Sequence, residues 1–231
     1  MTPEFWLAVG QIVMIDILLG GDNAVVIALA CRNLPPELRT KGIVWGTAGA
    51  IALRVVLIFF AMSLLKLPYL KLVGAVLLLW IGIKLLVPED DDHGKLQASD
   101  RLLGAIKTII VADFVMSVDN VIGIAGAAQG AGHEGHQMPL VIFGLLVSIP
   151  IIVWGSTMVL KLMDRFPIII TAGGMLLGWI AGTLAVSDPV AAPYVPDAAS
   201  TRYFAGVLGA LLVLVVGTVL SRRSDTDSSE T

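Results

Sequence analysis

The chain has 231 residues, of which 57% are hydrophobic and only 14% charged, against the roughly 25% charged residues of an ordinary soluble domain. Its mean hydropathy is +0.90, and its formal net charge is -3 with no basic patch. These values exclude a soluble enzyme and a nucleic-acid binder. The single Cys31 excludes an internal disulfide and dithiol chemistry carried by this chain alone.

The charges cluster between seven apolar runs, at 5–30, 42–65, 69–87, 102–126, 139–160, 167–186 and 203–220. Each approaches the roughly 20 residues that a helix needs to cross hydrocarbon. The runs are continuously apolar and lack the alternation of barrel strands, so they read as helices. The expected fold is therefore an all-α membrane protein with seven transmembrane helices in one polytopic domain over 1–231. The first run does not read as a cleavable signal peptide, because Met-Thr-Pro-Glu offers no basic start and Asp16 interrupts the apolar stretch.

Lys and Arg set the orientation. Arg32, Arg39, Lys41, Lys95, Arg101, Lys161 and Arg165 follow spans one, three and five, and Arg222 and Arg223 follow span seven. The opposite connections hold Lys66, Lys71 and Arg202 only. The N-terminus is expected outside and the C-terminus in the cytoplasm, with a disordered acidic tail over 224–231.

A repeat lies inside this pattern. DILLGGDNAVVIALA at 16–30 matches DFVMSVDNVIGIAGA at 113–127, pairing Asp16 with Asp113, Asp22 with Asp119 and Asn23 with Asn120. Pro68/Pro167, Gly74/Gly173, Trp80/Trp179 and Ile81/Ile180 continue it across spans three and six. The expected units are two three-helix repeats, about 5–87 and 102–186, with the helix at 203–220 appended. Three spans per unit place the second unit upside down relative to the first, an arrangement found in secondary transporters, whose site lies at the midplane.

Carboxylates at membrane depth cost about 2.5–3.5 kcal/mol each on insertion scales. Four of them, with two Asn, form an all-oxygen anionic set suited to hard divalent cations such as Mg, Ca or Mn. The candidate ligands are Asp16, Asp22, Asn23, Asp113, Asp119 and Asn120. On an unbroken helix the two Asp of each D-x5-D-N motif stand about 120° apart. Gly20-Gly21 is a natural place for a break in the first motif; Ser117-Val118 offers less in the second. A dication would neutralise two carboxylates and protons the others, which points to cation–proton exchange. Arg54, deep in span two, needs a carboxylate and is a candidate charge partner of these acids.

The strings LLGGDNAVVIALA, WGTAGAIALR, LLLWIGIKLL, TIIVADFVMSVDNVIGIAGAA and SIPIIVWGST resemble the TerC family of integral membrane proteins, most closely its YjbE-type branch. The likeness runs from about residue 5 to 186. It implies a seven-span inner-membrane protein linked to divalent metal export, chiefly manganese, and to tellurite resistance. It places the family's motif acids on Asp16, Asp22, Asp113 and Asp119.

The leading expectation is a secondary transporter that exports Mn2+ by proton antiport, not an enzyme, with divalent cation, protons and the bilayer as partners and no resident cofactor. The alternatives are an intramembrane aspartyl hydrolase and a stress-response partner without transport. Secondary signals are His133, Glu134 and His136 in an outside loop, a weak metal-release candidate, and the acidic run at 89–93, which is a solvated loop or a cation attractor. Lys107 reads as snorkelling, Trp80 and Trp179 as packing or interfacial residues, and Cys31 as inert.

Overall fold

A computed structural model describes residues 10, 13–14, 21–64, 67–87, 98–129, 137–191, 193–196 and 199–227. The described residues form seven helices: α1 (Gly21–Cys31), then α2 (Pro36–Leu64), α3 (Leu70–Leu86), α4 (Ala98–Gln129), α5 (Gln137–Arg165), α6 (Ile168–Val186) and α7 (Ala199–Asp227). Among the described residues, four stretches are long and apolar enough to cross a membrane: Pro36–Phe60, Ile142–Arg165, Ile168–Val186 and Ala199–Arg222. The first part of the expected first span, the 89–93 run and the 133–136 loop lie outside the described residues.

The helices outrun the apolar segments that mark them. α2 begins six residues before position 42 because Pro36 occupies the first helical position, where its missing N–H costs nothing, and Glu37 follows in the first turn. α4 likewise opens with Asp100 in its first turn, before the apolar run. At the other end, the disordered tail expected from residue 224 is corrected: α7 stays helical to Asp227. Polar side chains do not end a helix by themselves, because helicity follows backbone hydrogen bonding.

The most extensive packing joins α6 to α7, α2 to α4 and α3 to α6. Register follows from glycines that admit a neighbour. A Cβ at Gly42 would lie 3.5 Å from Leu102, and one at Gly49 would meet Ile110 at 2.7 Å, so α2 and α4 run parallel. Gly74 faces Leu184 whereas Gly82 faces Gly174, so α3 and α6 run antiparallel. Between α6 and α7 the backbones touch: a Cβ at Gly178 would strike the Gly209 carbonyl, and one at Gly209 the Gly178 carbonyl. Only glycine allows this approach, the small-residue packing that replaces hydrophobic drive between helices in lipid. Many large apolar side chains face outward, among them Phe59, Trp154, Val76 and Phe204.

Two polar ties fix the helix ends. Arg39 on α2 donates to Asp164 on α5 at 2.8 Å and to the carbonyls of Arg32 and Leu34, clasping the turn between α1 and α2. At the start of α3, Tyr69 takes a left-handed conformation (φ 66) and supplies no side-chain cap. Its place is taken by Asp188, fully buried in the turn after α6. The Asp188 carboxylate accepts the backbone N–H groups of Tyr69 (3.3 Å), Lys71 (3.1 Å), Leu72 (3.2 Å) and Val190 (2.8 Å). It therefore caps α3 from a distant point in the chain and welds the α6–α7 turn to it.

Burial alone would push the Asp188 carboxyl up, but the N–H groups of Val190, Leu72, Tyr69 and Lys71 outweigh it and hold the group below its usual range. Its stabilisation is then fully present above the unfolded value of about 3.9 and fades as the pH falls through the lowered folded value. Asp188→Asn should destabilise the protein by about 1.5–3 kcal/mol at neutral pH. Unfolding in detergent should show that deficit constant from pH 7 to 5 and shrinking below about pH 4.

Candidate functional site

The polar interior is built on α1, α2 and α4. Asp113 stands in the middle of α4, 5% exposed, and Arg54 two-thirds of the way along α2, 2% exposed. The parallel packing of α2 on α4 brings them together, and Arg54 Nη2 donates to Asp113 Oδ1 in a buried ion pair. Ser117, one turn beyond Asp113 on the same helix face, completes a ring. Arg54 Nε donates to Ser117 Oγ at 3.1 Å, and Ser117 Oγ donates to Asp113 Oδ2 at 3.1 Å. Such a pair survives in an apolar interior only because each charge is compensated and hydrogen-bonded.

Asp22 and Asn23 open α1 on the other side. Asp22 is half-buried and accepts the Asn23 backbone N–H at 2.9 Å. The Asn23 side chain is buried, and neither its amide oxygen nor its nitrogen has a hydrogen-bond partner among the described residues. The hydroxyls of Thr47 on α2 and Ser156 on α5 share that condition. Gly155, next to Ser156, faces Ala24 of α1. An unmatched buried polar group costs about 1–3 kcal/mol, so these oxygens are costly as pure structure and useful as ligands.

Of the six candidate ligands, Asp22 and Asn23 are neighbours at the start of α1, and Asp113 lies on α4 in the ion pair with Arg54. Asp16 lies outside the described residues. Asp119 and Asn120 lie on α4, which runs unbroken past Ser117-Val118, and their side chains lie outside the described set. The backbone at 119 is six residues on from 113, about 9 Å along the helix and about 120° around it. Among the described residues, no group of three or more His, Cys, Asp or Glu is close enough to hold a metal ion. A separate cavity of about 210 Å³ opens between α1, α3 and α4, lined by Asn33, Lys84, Asp100, Arg101 and Thr108. It includes none of the candidate ligands.

Sequence reasoning singled out Arg54 but not Ser117, Thr47 or Ser156. The i, i+4 spacing of Asp113 and Ser117 was a readable signal. The two isolated hydroxyls carried none.

Removing Asp113 strands a guanidinium in an apolar interior. Asp113→Ala should cost about 3–5 kcal/mol of stability, against about 1–2 kcal/mol for Ser117→Ala, which leaves the ion pair in place. Denaturant unfolding of the purified variants in one detergent checks the order.

The family model described as integral membrane protein TerC family matches residues 1–225. The uncharacterized membrane protein YjbE of Bacillus subtilis (strain 168) is 42% identical over 188 residues, 81% of this chain and 83% of that protein. YkoY of the same organism is 26% identical over 182 residues, 73% of this chain and 56% of that protein. The inner membrane protein YgdQ of Escherichia coli (strain K12) is 27% identical over 144 residues, 55% of this chain and 61% of that protein. None of these names carries an enzymatic activity. No solved structure matches the chain. The chain belongs to the TerC family of integral membrane proteins.

Proposed function

We propose that this protein is a secondary transporter that exports divalent metal ions, Mn2+ foremost, across the inner membrane in exchange for protons. The observation that carries this reading is a buried Asp113 on α4 together with, next to Asp22 at the start of α1, a buried Asn23 amide that has no hydrogen-bond partner among the described residues. Oxygen ligands of that kind suit hard dications. Asp16, Asp119 and Asn120 complete the proposed set by the repeated D-x5-D-N motif.

Helix directions support the inverted repeat. α1 turns back into α2 through residues 32–35, and α2 runs parallel to α4. The first helix of one unit therefore runs opposite to the first helix of the other. Gly74 of α3 packs on Val115 of α4, while Gly173 of α6 packs on Val25 and Leu29 of α1, so each unit's third helix leans on the other unit's first. This is the arrangement that puts a transporter's site where two inverted units meet. With seven spans and the Lys/Arg distribution, it gives an N-terminus outside and a cytoplasmic C-terminus.

A bound dication favours ionised carboxylates and expels their protons, so metal and proton contend for one site. Alternating access then exchanges them: metal leaves outward and protons return down their gradient. In proteoliposomes, Mn2+ flux should rise with an opposing proton gradient and fall when that gradient is collapsed. Asp22→Asn and Asp119→Asn should each lower it by about 100-fold while the protein still inserts, because each keeps the shape and removes the charge. Undiminished flux in both variants would refute the carboxylate site, and flux indifferent to the proton gradient would refute antiport.

A further inference from the structure

Both oxygens of Asp113 are engaged. Oδ1 accepts from Arg54 Nη2, Oδ2 accepts from Ser117 Oγ at 3.1 Å, and Ser117 Oγ accepts from Arg54 Nε at 3.1 Å. The three side chains are 2%, 5% and 0% exposed for Arg54, Asp113 and Ser117, so water does not screen the ring. A guanidinium keeps its proton in proteins, which makes this positive charge permanent. Arg54 thus fills the carboxylate that a cation held by Asp113 would require.

Resting on the transport reading above, we propose that Arg54 is a tethered competitor of the transported metal: its guanidinium occupies Asp113 while the site holds no ion, and a divalent cation binds only as the Arg54–Asp113–Ser117 ring opens. A dication seated on Asp113 beside an unmoved guanidinium would be strongly repelled in an apolar interior. The tether also discriminates by charge. A monovalent ion offers Asp113 no more charge than the guanidinium it displaces, whereas a dication offers twice as much. Between transport events, the acids are never left buried and uncompensated, a state that costs far more than a paired one.

The competing interpretation is that Arg54 merely positions Asp113 as a ligand. The two diverge in sign: removing a competitor strengthens metal binding, and removing a positioning group weakens it. The test is calorimetric titration of Mn2+ into the purified full-length protein in detergent at fixed pH. Four proteins are compared: wild type, Arg54→Met, Asp113→Asn, and the double variant Arg54→Met/Asp113→Asn. Arg54→Met should bind Mn2+ at least about tenfold more tightly than wild type, given the strength of charge repulsion away from water. The double variant should likewise exceed Asp113→Asn by about tenfold. It removes both buried charges together, so it folds where a single variant strands a charge, and it is read against Asp113→Asn where that variant is folded too. Equal or weaker binding on loss of Arg54 in the folded pairs overturns the proposal and leaves the transport reading standing. No Mn2+ binding by any of the four overturns both.

Discussion

A permanent positive charge buried in an apolar helix bundle must be met by a negative one, and this requirement organises the molecule. Arg54 and Asp113 satisfy each other across α2 and α4, which the parallel packing of those helices makes possible. The same face carries Gly46 and Gly49, which let Ile109 and Ile110 of α4 sit against the α2 backbone. Small residues bring the helices close, and closeness lets a short carboxylate reach a guanidinium and a serine at once. Away from this ring, the bundle is held by glycine-mediated backbone contact between α6 and α7, by apolar packing of α3 on α6, and by Asp188 at the head of α3. Polar groups thus act at a few points, each with several hydrogen bonds, while apolar surface faces outward.

The placement of these points bears on function. A purely structural ion pair would not need to fall inside the repeated motif, yet Asp113 is the first acid of the second D-x5-D-N. Nor would economy leave the Asn23 amide and the Thr47 and Ser156 hydroxyls buried without partners among the described residues. Proteins tolerate such costs mainly where a site is built, and buried polar groups inside membrane spans are a functional sign for the same reason.

Much of this was legible in the residues. Hydropathy marked the apolar segments, because hydrocarbon admits little else, and α3 and α6 match the runs at 69–87 and 167–186 to within a residue or two. Where helices outran those runs, as at Pro36 and Asp227, the reason was that apolarity records contact with lipid whereas helicity follows backbone hydrogen bonding. Arg54 announced its need for a carboxylate, but which acid it meets depends on how α2 slides along α4, and that register is set by glycine–isoleucine packing without a one-dimensional signature. Asp188 was missed because three of its four partners are backbone N–H groups of Tyr69, Lys71 and Leu72, distant in the chain and invisible to any local motif.

The central claim is that the acids around Arg54 form a cation site in which a metal and the guanidinium exclude each other. Anomalous scattering from crystals of the full-length protein grown with Mn2+ tests it most directly. The account predicts a single strong manganese peak between Asp22 and Asp113, with Arg54 turned away from Asp113. A peak elsewhere with the Arg54–Asp113–Ser117 ring intact, or an intact ring and no peak at saturating Mn2+, would contradict it.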